Sequence, residues 1–458
     1  MIRLFSVFIP TTILGLLLSD ILLVSAVFAV ACYFTVESGL YLFLLAEAGL
    51  ERLLVVLASI MLGLHFNDFY ATTRIPSRLL IYQQVSLTIG TTLLLQAAIA
   101  YLNVSWRMPR KAMLLGSGAC LVLLPAWRIF YSKVILRILG AERVLLVGSS
   151  PALTKLGLHM LEHPEVGLLP VGIVCQAPAP ADFAHLGSLG QLSQILAEHK
   201  PSRLIVGLEP QEEQNLQGLF EARQQGILVE DVAKLYESIL GRVCLSRLRP
   251  EDVAVGNELQ PPSRNYLIHN LYSFLIGLIG LTLAAPIMLL VALAVRISSP
   301  GPILFRQTRV GLNNATFTLY KFRSMYQDAE ARTGAVWAQA NDPRVTPVGR
   351  WLRSLRLDEL PQLFNVLRGE MAIVGPRPER PEFVKPLAEK IPFYLHRHLV
   401  KPGITGWAQI NYRYGNTIED TVVKLEYDLY YIRHMSLSLD LLIMFHTVKT
   451  MLLTRGAY

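Results

Sequence analysis

Asp358 and Glu359 are adjacent acids inside the run LDELPQLFNVLRGEMAIVGPRPE, from Leu357 to Glu379. Arg350, Arg353 and Arg356 precede them, and the turn Pro376-Arg377-Pro378 follows. One carboxylate that can attack phosphorus, beside a second that can hold a metal ion, is suited to phosphoryl transfer. Arginines suit the same chemistry, because the guanidinium fork donates to phosphate oxygens in two directions. An acid pair alone could simply mark a helix start favoured by the dipole. The density of cations around this one favours chemistry.

More cations precede the pair. FRQTRVG puts Arg306 and Arg309 on one side of a strand-like stretch, and TLYKFRSM puts Lys321 and Arg323 two apart, hence on one face if extended. NDPRV adds Asp342 and Arg344. Arg309, Lys321, Arg323 and Arg344 are therefore candidates to bind substrate phosphates. The triplet Arg350, Arg353 and Arg356 also fits a helix face lying on anionic lipid headgroups. Trp407, in KPGITGWAQI, could stack on a base or anchor the chain at a membrane interface.

The elements that position these residues belong to a membrane protein. The chain has 458 residues, long enough for two or three domains, with 52% hydrophobic and only 17% charged residues. Mean hydropathy is +0.41. The net charge of +8 points to a cytoplasmic face, anionic lipid and phosphorylated substrates, not to nucleic acid. Cys32, Cys120, Cys175 and Cys244 form no CxxC and read as buried, reduced thiols.

Apolar runs at Leu4–Phe34, Leu53–Phe66, Val85–Val104 and Met113–Val134 predict four transmembrane helices in residues 1–140. Charge counting in their loops is divided: Arg74 and Arg78 favour an inside N-terminus, while Arg107, Arg110 and Lys111 oppose it. No cluster of ionisable residues stands out in the spans. From Ala141 the pattern alternates: ERVLLVGSS, VGLLPVGIVC and SRLIVGL read as strands with helices between them, the last helix starting near Pro210. This predicts a small Rossmann-like α/β domain over 141–245. Its Gly148 turn could meet a phosphate, but the full GxGxxG is absent, so a scaffold and a nucleotide site both stay open.

A linker over 246–263 leads to a catalytic domain over 264–458. That domain opens with a second long apolar run, Leu271–Val295, interrupted by Pro286. Proline removes a helix hydrogen bond and bends the chain. If the α/β domain and Asp358 both work in the cytosol, both flanks of this run must lie on one side. A helix that enters, breaks at Pro286 and returns, re-entrant over 271–297, satisfies that; a straight span does not. The expected fold class is thus membrane α plus α/β. It has four transmembrane helices, a small Rossmann-like domain and a catalytic α/β domain carrying a re-entrant helix.

FRQTRVG, KFRSM, DPRVTPVGRWLRSLRLDELPQLFNVLRGEM, VGPRPERPEF and KPGITGWAQIN together resemble the bacterial sugar transferases of exopolysaccharide systems. These are large monotopic phosphoglycosyl transferases, or polyprenyl-phosphate hexose-1-phosphate transferases, and the exosortase-associated branch is the most similar. The resemblance covers Pro261–Tyr458. It implies a ping-pong reaction in which the acid-pair aspartate attacks a UDP-sugar, UMP leaves, and undecaprenyl phosphate takes the phosphosugar. Asp358 falls on the nucleophile, Glu359 on the Mg2+ ligand, and Arg377, between Pro376 and Pro378, on the arginine that binds the substrate phosphate. The bacterial inner membrane, with the catalytic domain on its cytoplasmic face, is the implied location. Membrane lipids, a possible homodimer and downstream polysaccharide assembly enzymes are the implied partners. Two departures concern the long helix: the family's Lys-Arg-x-x-Asp start is replaced by HNLYS (His269, Asn270, Ser273), and its Ser-Pro break by Ala285-Pro286.

A membrane-bound nucleotide-sugar dehydratase shares this front end but needs Tyr-x-x-x-Lys, and no tyrosine here has lysine four residues on. A catalytically dead assembly subunit would not need Asp358, Glu359 and Arg377 intact. Every candidate catalytic group lies after Ser263, so a protein beginning near Pro261 is expected to carry the chemistry.

Overall fold

The structure is a computed structural model, described here for all residues except 1, 5–6, 10, 68, 71–77, 136–140, 177–179, 211, 213–215, 256–258, 328–343, 413–414, 416 and 453–458. Asp342 and Arg74 thus lie outside the described residues. The chain forms two compact units whose main segments are Phe8–Val232 and Ala233–Tyr458.

The first unit combines apolar helices with a parallel sheet. Two short strands, β1 (Ile2–Leu4) and β2 (Val7–Ile9), stand where the sequence suggested a helix from Leu4. Helix α1 spans Thr11–Thr35. Proline at position 10 lacks the N–H that an earlier helical turn would need. After the short α2 (Leu40–Ala46) come α3 (Gly49–Phe66), α4 (Arg78–Leu102) and α5 (Arg110–Phe130). With the later helix Ser263–Ser298, five helices among the described residues are long and apolar enough to cross a membrane, and the chain is a multi-pass membrane protein. Contrary to the sequence reading, the spans do enclose ionisable groups. Asp20 and Arg128 are both buried; Tyr70 Oη donates to Asp20 Oδ2 (3.0 Å) and Arg128 Nη2 donates to the carbonyl of Phe69 (3.0 Å).

The α/β part holds five parallel strands in the order β5-β4-β3-β6-β7. They are β3 (Glu142–Val147), β4 (Leu168–Val174), β5 (His185–Gly187), β6 (Arg203–Val206) and β7 (Leu228–Asp231). Helices α6 (Pro151–Glu162), α7 (Leu192–His199) and α8 (Gln217–Gln224) connect them. The three apolar runs read as strands are strands. The helix expected from Pro210 begins only at Gln217, and β5 and β7 are too short to show a period.

The second unit starts earlier than the boundary drawn at 245. Helix α9 (Val232–Leu240) is tied to it through buried polar contacts. Tyr236 Oη donates to Glu426 (3.1 Å), Glu237 bridges Arg433 and His434 (2.6 Å each), and Trp407 Nε1 donates to the carbonyl of Gly241 (2.7 Å). The stretch expected as linker contains the short helix α10 (Pro250–Val255).

Helix α11 runs unbroken through Pro286, from Ser263 to Ser298, 36 residues, or about 54 Å at 1.5 Å per residue. The HNLYS residues that depart from the family anchor it. His269 Nε2 pairs with the carbonyl of Val374 (3.0 Å), and Ser273 Oγ accepts from the Ile373 amide (3.5 Å). Tyr272 and Tyr431 both donate to the buried Asp440, so the acid missing from the helix is supplied from elsewhere in the unit. Gly277 packs on Val366, Gly280 faces Leu363, and Val291 and Val295 join Phe322 and Leu352 in one cluster. One stripe of the helix therefore lies on the catalytic unit along its length, while Leu271, Leu278, Leu283, Leu290 and Ile297 on other faces are exposed.

The rest of the unit is small in strand content. β8 (Leu304–Val310) and β9 (Thr316–Phe322) form an antiparallel hairpin; β10 (Ala372–Val374) and β11 (Gly403–Thr405) form a parallel pair. Helices α12 (Pro347–Ser354), α13 (Gln362–Leu367), α14 (Pro381–Lys390), α15 (Trp407–Asn411), α16 (Ile418–His434) and α17 (Leu437–Leu452) complete it. Trp407 is core, stacked on Tyr430 at 6.0 Å, and is available neither to a base nor to an interface. All four cysteines are free and buried, as their spacing implied.

Candidate active site

The acid pair is delivered by a helix with sharp ends. Thr346 caps α12 by accepting from the Gly349 amide (2.9 Å), and Pro347 fills the first turn, where no N–H is needed. Gly349 lies against the Ser324 carbonyl, where any Cβ would clash. The helix ends at Ser354, and two residues on Arg356 takes left-handed geometry at φ 55°, a conformation costly for a residue with a Cβ. The next three residues, Leu357–Glu359, form a single 3-10 turn carrying both acids.

Both carboxylates are buried, Asp358 at 7% and Glu359 at 8% exposure, yet they are treated differently. Glu359 Oε1 accepts from Lys321 Nζ at 2.8 Å and from Arg377 Nη2 at 3.0 Å, and Arg356 lies 3.9 Å from Oε2. Burial alone would raise its pKa, but these cations hold it well below the usual carboxylate range. Asp358 accepts no hydrogen bond among the described residues. Burial, then the charge on Glu359, push its pKa up; Lys321, Arg353 and Arg377 oppose them. The pair therefore divides into a neutralised acid and an open carboxylate with lone pairs to spend.

Arg377 sits on a loop that cannot drift. Each carbonyl from 376 to 379 accepts a bond: Pro376 from the Gly403 amide (2.9 Å), Arg377 from Arg397 Nη2 (3.0 Å), Pro378 from Arg309 Nη1 (3.0 Å) and Glu379 from the Val310 amide (2.9 Å). Arg397 is itself buried against Asp428 (2.8 Å) and Tyr394 (2.9 Å). Burial raises the Asp428 pKa to about 6, against the pull of Arg397.

Of the cations expected on phosphate, the structure brings Lys321 and Arg377 onto the acid pair. Arg309 instead holds Pro378 and Gln307 (2.6 Å), with Glu379 at 3.7 Å. Arg323 is buried and spent on the end of α11, donating to the carbonyls of Pro300 (2.9 Å) and Ser299 (2.6 Å). The strand period placed Lys321 and Arg323 on one face, but β9 ends at Phe322, and beyond it the alternation no longer holds. The carbonyl of Arg344 accepts from the Tyr326 amide (3.0 Å), next to the undescribed 328–343. Arg353 donates to Ser324 Oγ (2.9 Å), and Arg356 faces Glu359, so two of the triplet serve the site's surroundings. Arg397 and Asp428 escaped the sequence reading, because partners 31 residues apart with no shared motif leave no local signal.

Asp358 and Glu359 are the carboxylates at this site that could hold a Mg2+ ion. That ion takes one or two carboxylates and completes its shell with water and substrate phosphates. Asp358 is open, and among the described residues the cation facing Glu359 Oε2 is Arg356, 3.9 Å away. No group of three or more acidic, histidine or cysteine ligands occurs among the described residues, so the pair would depend on substrate oxygens to complete the shell.

Sequence comparison places this geometry. The sequence model of the bacterial sugar transferase family matches residues 264–454, and a CoA-binding domain model matches residues 65–225. The chain is 44% identical over 231 residues to a UDP-N-acetylgalactosamine-undecaprenyl-phosphate N-acetylgalactosaminephosphotransferase of Aeromonas hydrophila, covering 50% of this chain and 54% of that protein. It is 35% identical over 330 residues to a UDP-glucose:undecaprenyl-phosphate glucose-1-phosphate transferase of Xanthomonas campestris pv. campestris, covering 69% of this chain and 68% of that protein. To the Escherichia coli (strain K12) protein of the same name it is 44% identical over 196 residues, 42% of each chain. The chain thus spans about half the length of the first of these relatives and two thirds of the second. With its acid pair, its pinned Pro-Arg-Pro loop and these matches, the chain belongs to the bacterial sugar transferase family.

Proposed function

We propose that the protein transfers a sugar 1-phosphate from a UDP-sugar to undecaprenyl phosphate, releasing UMP, as an initiating step of exopolysaccharide synthesis. The activities that name the relatives support the reaction class. The observation that carries the mechanism is the asymmetry of the acid pair: Glu359 is neutralised by Lys321 and Arg377, whereas Asp358 keeps its lone pairs.

In this reading an Asp358 oxygen attacks the sugar-bearing phosphorus. The new bond is Asp358 O–P; the bond that breaks joins that phosphorus to the bridging oxygen, which leaves on UMP. A phosphate oxygen of undecaprenyl phosphate then attacks the same phosphorus, and the Asp358 O–P bond breaks. Arg377, set by its pinned loop, orients the diphosphate and offsets charge. Asp358 and Glu359 would hold Mg2+, which when bound neutralises diphosphate oxygens. Incubation with a UDP-sugar should release UMP and leave a phosphosugar adduct on Asp358, mapped by mass spectrometry. An adduct on another residue, or release of UDP, would overturn the mechanism.

The site would work at the cytoplasmic face of the inner membrane, with α11 as a helix that does not cross. The support is the stripe from His269 to Val295, which keeps the helix against the catalytic unit throughout. A crossing helix would drag that unit's polar groups into hydrocarbon. Single cysteines before Leu271 and after Ile297 should respond alike to an impermeant thiol reagent. Labelling of one flank alone would establish a span.

A further inference from the structure

The α/β part matches a family described as CoA-binding, so its capacity to seat such a ligand can be tested residue by residue. In doubly wound sheets, ligands bind outside the carboxyl ends of the strands where the order reverses, with phosphate on the amides of the adjoining turn and helix. Here that point lies between β3 and β6, beside the turn at 148–150 and the stretch at 207–210, with Glu212 reaching into it.

The turn after β3 has the right backbone. Gly148 has φ 115° and leads through Ser150 into α6. Its amides, however, are committed. Gly148 N donates to Val174 O (2.8 Å), Ser150 N to Gly207 O (3.1 Å), and Pro151 has no N–H. Ser149 N donates to the Glu212 carboxylate at 3.1 Å, and the Glu209 amide donates to the same oxygen at 3.0 Å. Glu212 is 4% exposed, so its carboxylate is enclosed within this crevice. A Cβ on Gly148 would collide with the Gly207 carbonyl, so the two turns already touch, backbone to backbone. The groups left over point the wrong way for an anion. Among the described residues, Glu212 Oε1 has no hydrogen-bond partner and as a carboxylate can only accept, and Ser150 Oγ, 1% exposed and also unpartnered there, is one neutral hydroxyl.

CoA brings a diphosphate and a further phosphate, which need several donors and tolerate no buried like charge. The residues present do not fit it. We propose that Glu212 is a built-in anion that fills the phosphate seat of this domain, so that the resting protein binds neither CoA nor another phosphate ligand at the switch point. The carboxylate does for the turn what a ligand phosphate does elsewhere: it accepts the exposed amide and complements the helix N-terminus. The domain keeps the shape of a nucleotide receptor while its seat is occupied from within. This inference is independent of the transfer reaction, because Glu212 belongs to no part of the acid-pair site.

Equilibrium dialysis of the full-length protein in detergent with labelled CoA tests it, with excess UMP present so that the acid-pair site does not report. The unsubstituted protein should show no saturable binding. Glu212→Gln keeps the shape and removes the charge, and Glu212→Ala empties the seat; both should gain affinity for CoA by at least about tenfold, since a like charge has been removed. UMP release should be unchanged in both. Saturable CoA binding by the unsubstituted protein that Glu212→Gln weakens or leaves alone would overturn the proposal. So would failure of both variants to gain binding, because the carboxylate would then not be what excludes the ligand.

Discussion

Two turns in this protein look alike in outline. Each follows a short buried parallel strand, β3 at Gly148 and β10 at Gly375, and each is a plausible place to hold phosphate. They differ in what the fold leaves uncommitted. At Pro376–Glu379 the carbonyls are tied down, and the Arg377 side chain is left to meet the acid pair. At Gly148–Ser150 the amides are tied down, one of them by the Glu212 carboxylate. Turns of similar outline thus present opposite charges, an arginine at one and a carboxylate at the other.

The sharpest way to break this contrast is at the nucleophile. Asp358→Asn should lower turnover by at least about 10^3-fold, as removal of a covalent nucleophile does, and abolish the adduct. Glu359→Gln should weaken Mg2+ dependence as well as rate. Full activity in Asp358→Asn would return the acid pair to a structural role.

The boundary of the working unit comes next. A protein beginning at 233 retains α9, whereas one beginning near 261 strips Tyr236 and Arg242 from the buried Glu426 and Gly241 from Trp407. Each buried polar group left unpaired costs about 1–3 kcal/mol. The longer protein should fold and release UMP; the shorter, expected from sequence to carry the chemistry, should melt at a clearly lower temperature. Equal melting temperatures would show that α9 is an accessory.

A smaller effect is expected one bond away from the site. Arg397→Lys cannot hold Arg377 O, Asp428 and Tyr394 together. It should raise KM for the UDP-sugar by about tenfold, roughly one hydrogen bond's worth, with less change in kcat. In an Arg377→Ala background it should add nothing to KM, since its action passes through Arg377. Additive effects would assign Arg397 a separate role.

The smallest effect is in pH. Attack requires ionised Asp358, so the rate must fall as pH falls through its pKa. Burial and Glu359 raise that pKa, which places the acid limb above the ordinary value of 3.8. Arg353 opposes the rise, so Arg353→Ala should move the limb to higher pH, by less than about one unit for one partly screened charge. A limb that stays put would mean that Arg353 acts only through Ser324.

The motifs from FRQTRVG to KPGITGWAQIN were legible because chemistry on phosphate needs particular residue types close together in the chain. The apolar runs and buried strands were legible because hydrophobic length and period are local properties. The re-assignment of Arg309 and Arg323 was not: an arginine within a basic motif looks the same whether it meets phosphate or caps α11. Nor was the replacement of a helix-borne acid by Asp440, or the burial of Asp20 and Arg128 among the spans. Glu212 reads as an ordinary acid in a polar stretch, and only the approach of β6 to β3 brings it to Ser149. The amino-acid order by itself determined which groups could do chemistry and which segments had to be buried, because both follow from side-chain type and short spacing. Tertiary structure decided which charges were spent on the fold and which were left for a substrate, because that depends on partners distant in sequence meeting where water is excluded.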